Sequence, residues 1–283
     1  MSSETVTGVD RIAAAFQRAR GEDRAALMPY MMSGFPDRQT SLAVAAAYAE
    51  SGADLVELGV PFSDPLADGP VIHAAGTAAL RAGATVDGVL EVCAALAGRV
   101  PVVVMLYANL VYARGVERFA AALADAGAAG VIVPDLPLEE APAMLAACDA
   151  AGIALVPLVA PTTPDARMAS IGARARGFLY TVSVTGTTGE RAALSDRFAS
   201  IIARAKDHTD VPVALGFGIG EPAQAVQAAA AGADGVIIGS RLVRAAAEAA
   251  DPAAAVCALV AGFADALRGD AAAGPGRSGG RER

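Results

Sequence analysis

Short apolar runs alternate with longer alanine-rich stretches along most of the chain. The alanine-rich stretches repeatedly end in a small residue and a glycine, followed at once by a β-branched run, as in ESGADLVELG, DAGAAGVIVPD, AAGIALVPL and AAGADGVIIGS. Glycine just past a helix is a common stop signal because it adopts the left-handed conformation without a Cβ clash. Runs that are apolar throughout are typical of parallel strands covered on both faces. The pattern therefore predicts alternating helices and parallel strands.

Four further apolar runs, LMPYMM, PVVVMLY, GFLYTVS and VPVALGF, bring the number of predicted strands to eight. Eight strands alternating with helices within about 250 residues match a (β/α)8 TIM barrel in number and size. A doubly wound open sheet is the alternative, but MMSGFPD follows the first strand instead of the GxGxxG turn common in that fold. The predicted helices between and after the strands are 41–49, 86–96, 116–126, 139–150, 195–205, 223–231, 241–250 and 253–268.

The two ends of the chain depart from this repeat. Residues 9–20, VDRIAAAFQRAR, predict an amphipathic helix that we expect to close the bottom of the barrel. Residues 269–283, GDAAAGPGRSGGRER, have no apolar periodicity and predict a disordered C-terminal tail. We therefore expect a single barrel domain over residues 1–268, with an extra N-terminal helix.

Composition argues against several classes of protein. The formal net charge is −8 and no basic stripe is present, which argues against a nucleic-acid binder. The first residues lack the pattern of a signal peptide, and no apolar run reaches the roughly 20 residues that a membrane helix needs. Cys93, Cys148 and Cys257 are widely separated and predict reduced thiols. We therefore expect a cytoplasmic protein.

Carboxylates gather where the second predicted strand ends, in LVELGVPFSDPLADGP. Side chains alternate along a strand, so Glu57 faces the barrel interior if Val56 and Leu58 face the helices. Burial would raise the pKa of Glu57, which suits a general acid/base near neutral pH. The alternative is a structural glutamate held by a buried arginine. Asp68 follows in a loop stiffened by prolines, either as a second carboxylate facing the substrate or as an ordinary Asp-Gly turn residue.

Glycines mark three loops at the end of the predicted barrel where active sites are built. GFGIG follows the seventh strand, Gly239 and Ser240 follow the eighth, and TGTTG at 185–189 follows the sixth. Backbone N–H groups at helix N-termini bind phosphate without help from a lysine. The three loops together predict a phosphorylated substrate.

The scarcity of lysine and histidine narrows the chemistry further. A Schiff-base aldolase or a pyridoxal phosphate enzyme needs a lysine near the barrel mouth. Lys206, the single lysine, precedes the seventh strand and is expected at the barrel bottom. A metal-dependent aldolase needs clustered histidines, but His73 and His208 are far apart in the sequence. Acid/base catalysis by carboxylates remains, without a metal or cofactor in this chain.

The motifs ELGVPFSDPLADGPVI, YANLVY, VPDLP, VSVTGTTG, GFGI and GS, between about Leu27 and Ser240, resemble the tryptophan synthase alpha chain family. The resemblance implies a lyase that cleaves indole-3-glycerol phosphate to indole and glyceraldehyde 3-phosphate. It implies that Glu57 is the proton-shuttling acid/base, that Asp68 accepts from the indole N–H, and that Tyr180 supports Glu57. By the same resemblance the phosphate cradle comprises Gly189, Gly218, Gly239 and Ser240, and the indole pocket comprises Tyr30, Met105, Ile132 and Leu158.

The resemblance also implies a partner. Family members pair with a beta subunit that carries pyridoxal phosphate, so we expect an alpha2beta2 heterotetramer in which indole passes directly between subunits. Closure of the loops after the second and sixth strands couples the two sites, and Thr188 lies in the second of these loops. The implied interface residues are Asp64, Pro65, Asn109, Tyr112 and Pro137. A free-standing lyase and a non-catalytic activator of the beta chain remain as alternatives.

Overall fold

A computed structural model describes residues 6–182, 191–216 and 218–269, with the backbone alone for 191–197. The strands are β1 (Ala26–Met32), β2 (Val56–Gly59), β3 (Val102–Met105), β4 (Gly130–Ile132), β5 (Ala154–Leu155), β6 (Leu158–Val159), β7 (Leu179–Val182), β8 (Val213–Gly216) and β9 (Gly235–Ile238). The helices are α1 (Gly8–Gly21), α2 (Arg38–Glu50), α3 (Pro70–Arg81), α4 (Val86–Ala97), α5 (Ala108–Arg114), α6 (Val116–Asp125), α7 (Ala141–Ala151), α8 (Asp165–Gly172), α9 (Arg191–Lys206), α10 (Pro222–Ala230), α11 (Ser240–Glu248) and α12 (Pro252–Arg268).

The strands form one parallel sheet in the order β5-β4-β3-β2-β1-β9-β8-β7-β6. β5 and β6 are the two halves of the predicted fifth strand, and Pro157, which has no N–H to donate to a ladder, lies between them. The first half pairs with β4 and the second with β7. The ladder therefore closes on itself, and the prediction of a (β/α)8 barrel is confirmed.

Side chains along β2 alternate as the sequence predicts. Val56 and Leu58 belong to the apolar layer between the strands and the helices. Leu55 belongs to a separate apolar cluster inside the barrel. Glu57 therefore points inward, near the carboxyl end of its strand, where barrel enzymes place their chemistry.

The predicted N-terminal helix is α1, and it covers the bottom of the barrel. Thr7 caps it by accepting from the Asp10 N–H at 3.2 Å, and the Asp10 carboxylate accepts from the Thr7 N–H in return. Ile12 and Phe16 enter the interior cluster. A Cβ on Gly235 would lie 2.9 Å from the Phe16 ring, so the glycine at the start of β9 makes room for this helix.

A buried ion pair joins the first two strands at the same end of the barrel. The Arg24 guanidinium donates to the Asp54 carboxylate at 3.0 Å, and the Leu27 N–H donates to that carboxylate at 2.8 Å. Lys206 also lies at this end, as predicted, because it pairs with Asp234 just before β9.

Three helices were not predicted: α3, α5 and α8. The stretch from Pro61 to the helix α4 was predicted as one long loop, but the loop ends at Gly69 and α3 follows. Pro70 at the first helical position of α3 is a helix-start signal that the neighbouring prolines and glycines obscured. The last helix, α12, ends at Arg268, the predicted bound, and Gly269 caps it with φ of 80°; residues 270–283 of the predicted tail lie outside the described residues.

Among the helices of the described ranges, none combines the length and the apolar character that a membrane crossing demands.

Candidate active site

Glu57 is buried at the barrel mouth, with 2% of its surface exposed. Burial, and secondarily the nearby Asp68 charge, raises its pKa to about 8. Its Oε2 atom has no hydrogen-bond partner within the described residues. Glu57 is therefore mainly a neutral carboxylic acid at neutral pH, with one oxygen available to a bound molecule.

The structure gives no support to the alternative of a structural glutamate held by arginine. The buried arginine of this region, Arg24, pairs with Asp54 at the opposite end of the strands. Across the described ranges, no ion pair includes Glu57. The inward carboxyl is left with the properties of an acid/base group.

Asp68 lies on the loop after β2, immediately before Gly69, which caps α3. The Tyr107 hydroxyl donates to its Oδ1 atom at 3.0 Å. Burial raises the pKa of Asp68, whereas the Tyr107 hydrogen bond and the His73 charge lower it. Asp68 is thus more than a turn residue, because its carboxylate is half-buried beside Glu57 and held by a side chain from another loop.

Two tyrosines flank Glu57 inside the barrel. Tyr30 and Tyr180 are 6% and 4% exposed, and the charge of Glu57 helps to raise the pKa of each, after the larger effect of burial. Glycines make room for both rings: a Cβ on Gly59 would lie 2.1 Å from the Tyr30 hydroxyl, and one on Gly216 would lie 2.3 Å from the Tyr180 hydroxyl. Tyr180 is therefore close to Glu57.

The predicted indole pocket is brought together as one apolar surface. Ile132 and Tyr180 belong to the interior cluster, and Met105 and Leu158 pack against it. Tyr30 belongs to an adjoining cluster, and Met105 packs against that cluster as well. These side chains line the upper barrel around Glu57, so a flat apolar ring would have apolar contacts there.

The predicted phosphate cradle is described in part. Gly218 has φ of +81°, a conformation that favours glycine. Gly239 is the N-cap residue of α11, which begins at Ser240, and no side chain of the described residues caps this helix end. The start of α10 differs, because Gln224 Oε1 accepts from the Gly220 and Glu221 N–H groups at 2.7 and 3.0 Å. The α11 N-terminus is therefore the better anion site of the two. The remaining predictions, Gly189 and Thr188, lie outside the described residues.

The residues predicted to face a partner lie on one side of the barrel mouth. Asp64, Asn109, Tyr112 and Pro137 are exposed, and Pro65 is half-buried. Asn109 and Tyr112 belong to α5, and Tyr112 leaves 52% of its surface exposed. Leu66 on the neighbouring loop is 84% exposed, and the sequence interpretation did not include it. A single exposed apolar side chain is common on protein surfaces, so Leu66 adds to the contact face only through its position beside Asp64 and Pro65.

Sequence reasoning also gave no role to Tyr107 or His73. Tyr107 follows β3 by two residues, at the barrel face where catalytic groups gather, and this position was the available signal. His73 lies on the first turn of α3, a helix that was not predicted, so its closeness to Asp68 was hidden. No group of three or more metal-ligating side chains is found in the part of the chain that the structure describes.

A closed parallel barrel with a buried carboxyl at the carboxyl end of a strand defines the protein as a (β/α)8-barrel enzyme. A family model described as tryptophan synthase alpha chain matches residues 16–269. The chain belongs to this family and is therefore an enzyme of tryptophan biosynthesis, and the recognition made from the motifs is confirmed.

Individual relatives agree with the family model. The chain is 50% identical to the tryptophan synthase alpha chain of Prochlorococcus marinus (strain MIT 9313) over 235 residues, covering 82% of this chain and 86% of the relative. A tryptophan synthase structure from Mycobacterium tuberculosis matches with a TM-score of 0.84 and 40% identity, covering 91% of this chain and 98% of that one. The alpha subunit from Legionella pneumophila str. Paris matches with a TM-score of 0.85 and 33% identity, covering 92% and 98%.

Proposed function

We propose that this chain cleaves indole-3-glycerol phosphate to indole and glyceraldehyde 3-phosphate by acid/base catalysis with Glu57 and Asp68. The observation that carries the proposal is the neutral, buried Glu57 carboxyl at the barrel mouth, whose Oε2 has no partner within the described residues. Family membership supplies the reaction class, and the site supplies groups of the right kind. No metal or redox group is needed for this retro-aldol step.

Glu57 begins the reaction as the acid. It donates its proton to C3 of the indole ring, which makes the bond from C3 to the side chain breakable because the ring can then leave as a neutral molecule. Positive charge develops on the ring and is shared with its N–H. Asp68, whose second oxygen makes no hydrogen bond within the described residues, accepts a hydrogen bond from that N–H and stabilises the charge.

Glu57 ends the reaction as the base. The carboxylate that it became takes the proton from the hydroxyl on the side-chain carbon next to the ring. The C–C bond breaks, its electron pair returns to the ring, and the hydroxyl oxygen becomes the aldehyde oxygen. Glu57 is protonated again, so no proton is gained or lost overall. A pKa of about 8 lets one carboxyl serve in both directions near neutral pH.

The neighbouring side chains hold the substrate for these steps. We assign Tyr180 to support of Glu57, and Tyr30, Met105, Ile132 and Leu158 to the wall against the indole. The phosphate binds at the α11 N-terminus, to Gly239 and Ser240, and we assign Gly218 and Gly189 to the same cradle from the resemblance to the family. A Cβ on Gly239 would lie 3.8 Å from the Tyr30 Cβ, so this helix end is close to the indole wall.

The partner in the proposal is a tryptophan synthase beta subunit in an alpha2beta2 heterotetramer. Pyridoxal phosphate belongs to that subunit, which receives indole from this chain. The exposed Asp64, Asn109, Tyr112 and Pro137, with Pro65, form the contact face. We further propose a cytoplasmic location, in keeping with free Cys93, Cys148 and Cys257, and one barrel domain over residues 1–268 followed by a disordered tail.

Indole release from indole-3-glycerol phosphate tests the proposal directly, with and without added beta subunit. We expect turnover by the wild-type chain that rises when the beta subunit is added. Glu57→Gln and Asp68→Asn should each lower turnover by at least about 100-fold, since each removes a group that acts in the transition state. Glu50→Gln, on the exposed end of α2, is the matched control and should leave turnover unchanged.

The alternatives give different results in this assay. Fast turnover that does not respond to the beta subunit would indicate a free-standing lyase. No indole from the wild-type chain under either condition would contradict the catalytic proposal and leave an activating subunit.

A further inference from the structure

We propose that Tyr107 is a positioning residue for Asp68. Its hydroxyl holds one Asp68 oxygen at the barrel mouth and leaves the other to accept from the indole N–H. The inference rests on the proposed function and adds a residue to which neither the sequence nor the family comparison gave a role. Three features carry it: the contacts of the hydroxyl, the rigidity of the ring, and the scarcity of other ties on this loop.

The Tyr107 hydroxyl makes two hydrogen bonds to consecutive loop residues. It donates to Asp68 Oδ1 at 3.0 Å and accepts from the Ala67 N–H at 3.0 Å. The hydroxyl therefore fixes both the backbone just before Asp68 and the side chain of Asp68 itself. No hydrogen bond to the second carboxylate oxygen occurs within the described ranges, so Asp68 retains an acceptor.

The Tyr107 side chain is itself firmly held. It is 4% exposed, and its ring stacks on Phe62 with centroids 5.2 Å apart and planes 26° apart. Its carbonyl accepts from the Leu110 N–H at 3.0 Å at the start of α5, and the next N–H, of Ala108, donates to Asp135 Oδ1 at 2.8 Å. A hydroxyl carried on such a support is restricted in position.

The loop that carries Asp68 makes few other hydrogen bonds to the rest of the protein. Residues 61–69 connect by hydrogen bonds to their own loop, to the adjoining α3 and to Tyr107. Within the described residues, both bonds that reach the rest of the barrel end on the one Tyr107 oxygen. Loss of that oxygen would leave the carboxylate free to rotate and would remove a donor that favours its ionised form.

The test compares Tyr107→Phe with Tyr48→Phe. Each change removes a buried hydroxyl and keeps the ring, but the Tyr48 hydroxyl donates at 3.1 Å to the Tyr30 carbonyl from α2, outside the barrel. We expect Tyr107→Phe to lower kcat/KM by about 10- to 100-fold, the effect of one hydrogen bond to a charged group. The acid limb of its pH profile should also move to higher pH. Tyr48→Phe should move neither quantity.

A double variant shows whether Tyr107 acts through Asp68. In the Asp68→Asn background, adding Tyr107→Phe should cost little further activity, since the carboxylate that the hydroxyl positions is already gone. Full additivity, an unmoved acid limb, or an equal loss in Tyr48→Phe would each overturn the inference while an active wild-type chain keeps the proposed function intact. A wild-type chain that releases no indole would instead contradict the proposed function. Thermal unfolding of each variant separates lost folding from lost positioning.

Discussion

Glu57 and Tyr30 are direct neighbours in register, on β2 and β1, and both side chains lie inside the barrel. Two residues past Glu57 on the same face, Gly59 leaves the space that the Tyr30 hydroxyl occupies. The same arrangement recurs across the barrel, where Tyr180 on β7 lies over Gly216 of β8. Tyr30 and Tyr180 thus each depend on a glycine at the end of the next strand.

This dependence predicts that Gly216→Ala displaces Tyr180. The new Cβ would meet the phenol oxygen at 2.3 Å, far inside contact distance. We expect a loss of about 1–3 kcal/mol in the free energy of unfolding, as for other overpacked cores, and a larger relative loss of indole release. Gly262→Ala on α12 is the control, since nothing lies within 4 Å of its Cβ. It should raise stability by up to about 1 kcal/mol.

The activity should depend on pH in a bell-shaped manner. Glu57 must carry its proton to act as the acid, and its pKa is raised to about 8, so kcat/KM falls as pH rises through that value. Asp68 must be ionised to stabilise the ring, so kcat/KM also falls on the acid side. A pH profile of indole release with saturating and limiting substrate measures both limbs. A rate that stays constant well above pH 8 would exclude Glu57 as the proton donor.

Burial of Glu57 also predicts a pH dependence of stability. The pKa of Glu57 is about 8 in the folded chain and has the ordinary glutamate value of 4.5 in the unfolded chain. Between these two pH values the folded chain holds a proton on Glu57 that the unfolded chain has released. The free energy of unfolding therefore decreases as the pH rises from about 4.5 through about 8. Glu57→Gln lacks this titration and should gain stability relative to wild type, by the order of 4 kcal/mol between about pH 5 and about pH 9.

Urea unfolding at the two pH values measures this difference. Glu50→Gln serves as the control because its carboxylate is exposed on α2 and should show no such gain. Equal pH dependence in Glu57→Gln and wild type would contradict the burial of a neutral carboxyl.

The bottom of the barrel should be sensitive to loss of one charge. Asp54→Ala removes the buried carboxylate that accepts from Arg24 and from the Leu27 N–H, and it leaves the largely buried Arg24 with Glu22 as its remaining acidic partner. We expect a loss of about 1–3 kcal/mol in the free energy of unfolding, the cost of leaving buried polar groups without their acceptor. The exposed pair of Arg38 and Glu91 is the comparison, with Glu91→Ala costing less than about 1 kcal/mol. Equal costs at the two sites would mean that the buried pair is not stabilising the barrel.

Tyr112 should matter for the partner and not for basal turnover. It is an aromatic residue half exposed on α5, the kind of residue that often dominates an interface. Tyr112→Ala should weaken the apparent affinity for the beta subunit by about 10- to 30-fold, measured by titrating the stimulation of indole release. Val226→Ala, an exposed apolar residue on α10, is the control. Unchanged affinity in Tyr112→Ala would remove α5 from the contact face.

Much of this arrangement followed from local sequence pattern. The inward direction of Glu57 came from the alternation of Val56 and Leu58, and the barrel came from the repeat of glycine and apolar run. Local pattern failed where prolines and glycines crowded together, since the stretch before α3 looked like one long loop. It also showed one fifth strand where Pro157 divides the ladder into β5 and β6.

Contacts between distant segments could not be predicted in this way. Tyr107 meets Ala67 and Asp68 across 40 and 39 positions in the chain, and no periodicity connects a residue after β3 with a loop after β2. The parallel pairing of β2 with β3 brings these two loops together at one edge of the sheet. The pairing that positions the second carboxylate is therefore a property of the fold and not of either segment alone.

The closure of the ladder has a consequence for synthesis of the chain. β1 emerges from the ribosome early, yet one of its two neighbours is β9, which ends at Ile238. Until that strand has been made, β1 has an unpaired edge of the kind that invites pairing with other chains. Nascent chains stalled before Gly235 should bind chaperones or aggregate. Chains should dissociate from the chaperones soon after β9 has left the ribosomal exit tunnel.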